Sequence, residues 1–279
     1  MKEMIVLMKS KWLLLVAALV LAFGAFAVAG CSMSDEPTDE GTGSETPAVK
    51  YVVATDAPYP PFENIDEATG KHFGFDMDIL NAIAENQGFE VEYMTYNFDA
   101  MLAGLAGEPT DFDFAMSAIT ITEERAQSIL FSDPYFNAAQ SLSVPKGAAI
   151  KTTADLKSGM KVAVQTGTTG FIWAEENLKP KGIEIMNYPQ GVDCFNAMLA
   201  GDVDACVVDL AVAAEYAADD ALDAVVVETI ETAEQYGIGF PKSATDLHAQ
   251  VNAGLKAIIA DGTYAKIYKE WFGVEPTNL

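Results

Sequence analysis

Short apolar runs with strand character recur along this chain, and most are followed by a stretch with helical spacing. Residues 51–54 (YVVA) read as a buried strand, and Pro58, Pro60 and Pro61 then break any helix. Residues 76–86 place Ile79, Leu80 and Ile83 on one helical face, and Gly88 closes that helix as a left-handed cap. Residues 91–96 and 112–116 are strand-like around a helix at 98–105. Thr122 stands where it can cap the next helix, with Glu123 and Glu124 in the first turn. After Pro134 an extended stretch at 140–144 restarts the alternation. Strands are expected at 161–165, 184–188 and 205–209, with helices at 171–177, 192–200 and 210–218. Strands alternating with helices imply an α/β fold of parallel-rich sheets covered on both faces. Ligands in such sheets bind where the strand carboxyl ends open into a crevice. That rule points at Asp56, Ser117 to Thr120, Gln165 to Gly170, and Asp209.

Composition narrows what such a crevice could hold. Lysine plus arginine number 16 against 41 acidic residues, a formal charge of −25, and this surface repels nucleic acid and anionic lipid headgroups alike. Two histidines and three cysteines do not supply a metal cluster with ligand spacing, so neither metal nor cofactor is expected. The amino terminus has its own pattern. Lys2, Lys9 and Lys11 precede an apolar run over 12–29, the order of a secretory leader. The run ends Val28-Ala29-Gly30-Cys31, which resembles the lipobox of bacterial lipoproteins and implies acylation of Cys31. A plain membrane-spanning helix is the competing reading. Residues 32–48 lack the apolar content to bury a core and read as an acidic tether with a reach of roughly 20–25 Å. Any membrane attachment would then be through the N-terminal lipid.

Seven stretches, in order, resemble one family. They are ATDAPYPPFE at 54–63, GFDMDILNAIA at 74–84, SAITITEERAQSILFSDPYF at 117–136, KVAVQTGTTG at 161–170, GDVDACVVD at 201–209, QYGIGFPK at 235–242 and ADGTYAKIYKEWFG at 260–273. Together they resemble the polar-amino-acid branch of the ABC-transporter solute-binding proteins, extracellular family 3, with glutamine- and lysine/arginine/histidine-binding members most similar. The resemblance implies a two-lobed periplasmic-binding-protein-like (type II) fold that closes on its ligand. A leader at 1–30 and the tether at 31–48 would precede a first lobe at 49–139 and 241–279. The second lobe would take 145–235, with hinge strands at 140–144 and 236–240. The expected partners are a free amino acid and the membrane subunits of an ABC permease, with the receptor a monomer on the extracytoplasmic face.

A free amino acid is a zwitterion, and burying it requires partners at both charges. The ITxxxR pattern places Arg125 where family members hold the ligand carboxylate, and its planar fork suits two oxygens. Asp209 matches the carboxylate that holds the α-ammonium, although an aspartate there also caps helices. Thr120 offers a hydroxyl and a backbone N–H, Ser117 its carbonyl, and Ala118 stands between them. Thr169 opens a helix whose amides can meet a carboxylate. Tyr59 and Phe98 match positions that sandwich the ligand side chain, and Asp56 and Gln165 match positions near its far end. A carboxylate beside an amide favours a cationic or amide-bearing side chain, hence glutamine or a basic amino acid. Cys194 and Cys206 could pair in an oxidising compartment, yet both lie in apolar patterns typical of buried thiols. Two rivals remain: an enzyme on the same scaffold, such as a cyclohexadienyl or arogenate dehydratase, and a ligand sensor serving a separate signalling partner. No catalytic residue is assigned, and a binding protein is expected.

Overall fold

The computed structural model describes residues 48–107, 111–219 and 221–277. The leader, Cys31 and the tether up to residue 47 lie outside the described residues. Two sheets organise the rest. The chain begins with β1 (Val49–Thr55), a small hairpin of β2 (Asn64–Ile65) and β3 (His72–Phe73), and helix α1 (Phe75–Gln87). Then come β4 (Phe89–Thr95), α2 (Phe98–Ala106), β5 (Phe114–Ala115), α3 (Glu123–Ser128) and β6 (Ile129–Phe131). β1 runs parallel to both β4 and β5, with Val49 opposite Phe89 and Val53 opposite Phe114.

The chain then crosses to a second sheet. It starts with β7 (Phe136–Pro145) and continues through β8 (Lys161–Gln165), α4 (Thr169–Asn177), β9 (Glu184–Tyr188), α5 (Gly191–Ala200), β10 (Ala205–Asp209), α6 (Leu210–Ala218) and β11 (Ala224–Tyr236). β12 (Gly239–Pro241) returns to the first sheet, and α7 (Thr245–Ala260) and α8 (Thr263–Phe272) complete its cover. The strand orders are β4-β1-β5-β12-β6 and β11-β7-β10-β8-β9. These two α/β layers are the two lobes of the type II fold.

Local chemistry explains the elements that matter for the site. In α1, Ile79, Leu80, Ile83 and Ala84 are buried at helical spacing, and Gly88 ends the helix at φ 71° with its N–H on Ala84 O. The start of α1 is held from outside, since Phe75 N and Asp76 N donate to Pro61 O and Phe62 O at 2.9 and 3.0 Å. Gly74 makes that approach feasible: its φ is 150°, and a Cβ there would lie 2.0 Å from Phe62 O. Thr122 caps α3, its Oγ1 accepting from Arg125 N at 3.1 Å, which fixes the backbone that carries Arg125.

Several sequence expectations need adjustment. The strand expected at 112–116 is reduced to Phe114–Ala115, the two residues that pair with β1, only Ala115 of which also pairs with the short β12. Residues 140–144 lie inside β7 rather than at a crossing. β7 pairs with β11 from Phe136 onward, so the chain passes between sheets at 132–135 and returns at 237–238. Aromatic rings pack around both passages. Phe62 meets Phe136 at 4.9 Å and Tyr236 at 5.2 Å between centroids, and Phe136 stacks on Tyr236 at 5.4 Å. Cys194 and Cys206 are both free and buried, and no bridge joins them.

Candidate functional site

The carboxyl ends of β1, β5, β8 and β10 converge on a narrow cavity. Its walls include Asp56, Tyr59, Phe98, Ser117, Ala118, Thr120, Arg125, Gln165, Thr169 and Asp209, all ten positions singled out from the sequence. Two further residues, Glu63 and Thr168, complete the lining. Glu63 lay in a quoted motif but had no assigned role in binding. Thr168 caps α4 through its Oγ1, which accepts from Phe171 N at 3.1 Å.

Polar contacts join the two lobes across this cavity. Arg125 donates from Nη1 to Thr120 O at 2.7 Å and from Nη2 to Gly167 O at 3.0 Å. Its guanidinium carbon also lies 5.3 Å from the centre of the Phe98 ring. The side chain is thus turned inward and not committed to Glu123 or Glu124. Gln165 Nε2 donates to Asp56 Oδ2 at 2.6 Å and to Pro189 O at 3.3 Å. Tyr59 faces Gly191 so closely that a Cβ there would lie 2.8 Å from the ring.

Asp209 begins α6, yet its side chain makes no capping bond. Its Oδ1 instead accepts from Gln140 Nε2, and its Oδ2 accepts from the Tyr236 hydroxyl. Burial, reinforced by the charge of Glu234, pushes the Asp209 carboxyl up to about 6. Burial likewise raises Asp56 to about 6, opposed by the hydrogen bond from Gln165.

A second acidic pair joins Glu63 of the lining to the buried Asp76. Ser117 Oγ donates to Glu63 Oε1 at 2.6 Å and accepts from Asp56 N at 3.0 Å, so its backbone carbonyl is the polar group left for other use. Asp76 Oδ2 receives Ala118 N and the Tyr135 hydroxyl, both at 2.9 Å. These bonds hold Ala118 at φ 45°, a left-handed conformation that costs a non-glycine residue about 1 kcal/mol. Burial raises both the Glu63 and Asp76 carboxyls, and the charge of Asp76 raises Glu63 further. Asp56 Oδ1 and Glu63 Oε2 are buried without a hydrogen-bond partner among the described residues. No group of three or more potential metal ligands occurs among the described residues.

Comparison with known proteins agrees with this geometry. Residues 51–274 match the bacterial extracellular solute-binding proteins, family 3. A probable histidine-binding protein of Neisseria gonorrhoeae is 33% identical over 267 residues, covering 95% of this chain and 96% of its own. The glutamine-binding protein GlnH of an ABC transporter in Bacillus subtilis (strain 168) is 30% identical, covering 94% and 97%. Among solved structures, an ancestral arginine-binding protein bound to arginine superposes with a TM-score of 0.75 at 38% identity, over 80% of this chain and 98% of that one. The arginine-, lysine-, histidine-binding protein ArtJ of Geobacillus stearothermophilus gives 0.74 at 40% identity, over 82% and 97%. With its two sheets, its crevice and a family match over nearly all the described residues, the chain belongs to the bacterial extracellular solute-binding proteins of family 3.

Proposed function

We propose that this protein is an extracytoplasmic, lipid-anchored receptor that captures a free polar L-amino acid, a basic one in preference, for an ABC importer. The observation that carries the reading is the division of charge in the cavity. Arg125 is the guanidinium among the lining residues and can take the α-carboxylate, with the first amides of α4 near Thr169 opposite. Asp209, Thr120 Oγ1 and Ser117 O supply the acceptors an α-ammonium needs. At the far end, Gln165 has both amide hydrogens engaged, so its oxygen and Asp56 Oδ1 remain as acceptors. A donor-only side chain, guanidinium or ammonium, suits that end better than an amide, which also carries an acceptor. Tyr59 and Phe98 flank the path between the two ends. Names of relatives as histidine-, glutamine- and arginine-binding proteins support the same class.

A thermal-shift screen against the twenty amino acids and ornithine tests this. A ligand at a hundred times its Kd adds about 2.7 kcal/mol, which in a domain of this size raises Tm by roughly 5–10 °C. Arginine, lysine or ornithine should give the largest rise, with glutamine smaller. A flat response to all of them would sink the receptor reading. Recovery of the ligand chemically altered would move the weight to the dehydratase-like alternative, for which Asp56 or Glu63 is the candidate acid or base.

The anchor rests on the Gly30-Cys31 sequence. Among the described residues no helix is long and apolar enough to cross a membrane. Cys31→Ala is expected to abolish incorporation of a labelled fatty acid and to release the protein from the membrane fraction. Undiminished labelling would remove Cys31 as the attachment point.

A further inference from the structure

Glu234 is not among the residues that line the cavity, yet its carboxylate meets two of them. Thr120 Oγ1 donates to Glu234 Oε2 at 2.9 Å from one lobe, and Thr169 Oγ1 donates to the same oxygen at 2.8 Å from the other. Gln140 Nε2, on β7, approaches both carboxylate oxygens at 3.3 and 3.5 Å and also donates to Asp209 Oδ1. The amide must present nitrogen here, since its oxygen would face two carboxylates. An irregularity in β11 delivers the side chain: the register with β7 shifts between Ile230 and Glu234, and Ala233 adopts φ 53°.

A hydroxyl owns one hydrogen. The Thr120 and Thr169 oxygens lie 3.4 Å apart, and once each has given its hydrogen to Glu234 neither can donate to the other or to a ligand. What they retain are lone pairs, one set already shared with Gln140 Nε2 at 3.3 Å on the Thr169 side. The wall they form can then only accept.

We propose that Glu234 is a positioning residue that fixes the direction of the Thr120 and Thr169 hydroxyls, so that this wall selects the α-ammonium of a bound amino acid. The inference rests on the amino-acid reading above. With glutamine at 234, the side chain can donate to the same hydroxyls and turn their hydrogens toward the cavity, where they would repel an ammonium group.

The test compares L-arginine with 5-guanidinopentanoate, which keeps the side chain and carboxylate and lacks the ammonium. Affinities are measured by calorimetry and, for the weaker probe, by displacement. Glu234→Gln should weaken arginine at least tenfold and the deaminated probe less than threefold. Thr120→Val should show the same selectivity, and the double variant should bind arginine no more than about threefold more weakly than the worse single variant. Equal losses for both probes, no loss for arginine, or fully additive losses would overturn the assignment. Wild-type protein that binds neither probe would overturn the basic-amino-acid reading itself, and this inference with it.

Discussion

Replacing Arg125 with alanine is expected to weaken amino-acid binding by about 10²–10⁴-fold, with the free protein still folded. Removing one member of a buried charge pair costs about 3–5 kcal/mol, because the remaining charge loses its counterpart without regaining water. Two features of the structure enlarge the effect. The guanidinium's two terminal nitrogens reach Thr120 O in one lobe and Gly167 O in the other, so the same side chain helps hold the lobes together. Its stacking on Phe98 also orders one wall of the cavity. Arg125→Lys should fall between the two, since the charge remains but the planar fork does not. Calorimetry gives the affinity, and circular dichroism with a melting curve gives the fold. Affinity within tenfold of wild type, in a variant that melts normally, would remove Arg125 from the ligand site.

A change of pH should move stability and affinity in opposite directions. Asp56 and Asp209 are each raised by burial to about 6, above the value near 4 expected in the unfolded chain. The folded state therefore binds protons more tightly than the unfolded state. The stability these groups contribute is fully present below about pH 4 and is lost as pH rises through about 6. Glu63 and Asp76, both raised by burial, add to the same trend. So does relief of the formal charge of −25 as carboxylates are neutralised. The free protein should accordingly melt higher at pH 5 than at pH 8. Ligand binding needs the opposite state, because a cation is held by ionised Asp56 and Asp209. Affinity should be level above pH 7 and fall below 6 by about tenfold per pH unit for each carboxylate that must shed a proton. Melting curves and calorimetry across pH 5–8 read both slopes. An affinity that does not change over that range would show that neither carboxylate meets a ligand cation.

Much of the second sheet was legible because its inner strands β8 and β10 are almost wholly buried apolar runs. β8, β9, β10 and α6 have the limits their apolar runs suggested, and all five residues of β10 are buried. Of the two edge strands, β11 was harder to read than β9. β11 was not anticipated because it is an outer strand with one paired side, and its second half alternates exposed and half-buried residues through Glu231 and Ala233. The helices α7 and α8 lay in part within a quoted motif that did not itself say what they cover. At the cavity, the sequence pointed to residues at strand ends, where position dictates direction. It did not point to Glu234 or Gln140, whose side chains reach the site only through the pairing and irregularity of β7 and β11. Asp209 is instructive in another way: its place at a helix start suggested a cap, and buried donors from Gln140 and Tyr236 claimed its oxygens instead.

The two passages between sheets also set an order of assembly. The second sheet is drawn from one uninterrupted stretch, 136–236, and closes when β11 pairs back along β7, Tyr236 opposite Phe136. The first sheet must wait for β12, which inserts between β5 and β6 after a detour of more than about a hundred residues, a closure whose entropic cost is met late. Phe75 waits longer still, for Tyr264, Tyr268 and Phe272 of the last helix. A chain emerging amino terminus first can thus complete its second lobe while the first still exposes its apolar face. Until the last helix packs, that face leaves the nascent protein open to aggregation and proteolysis.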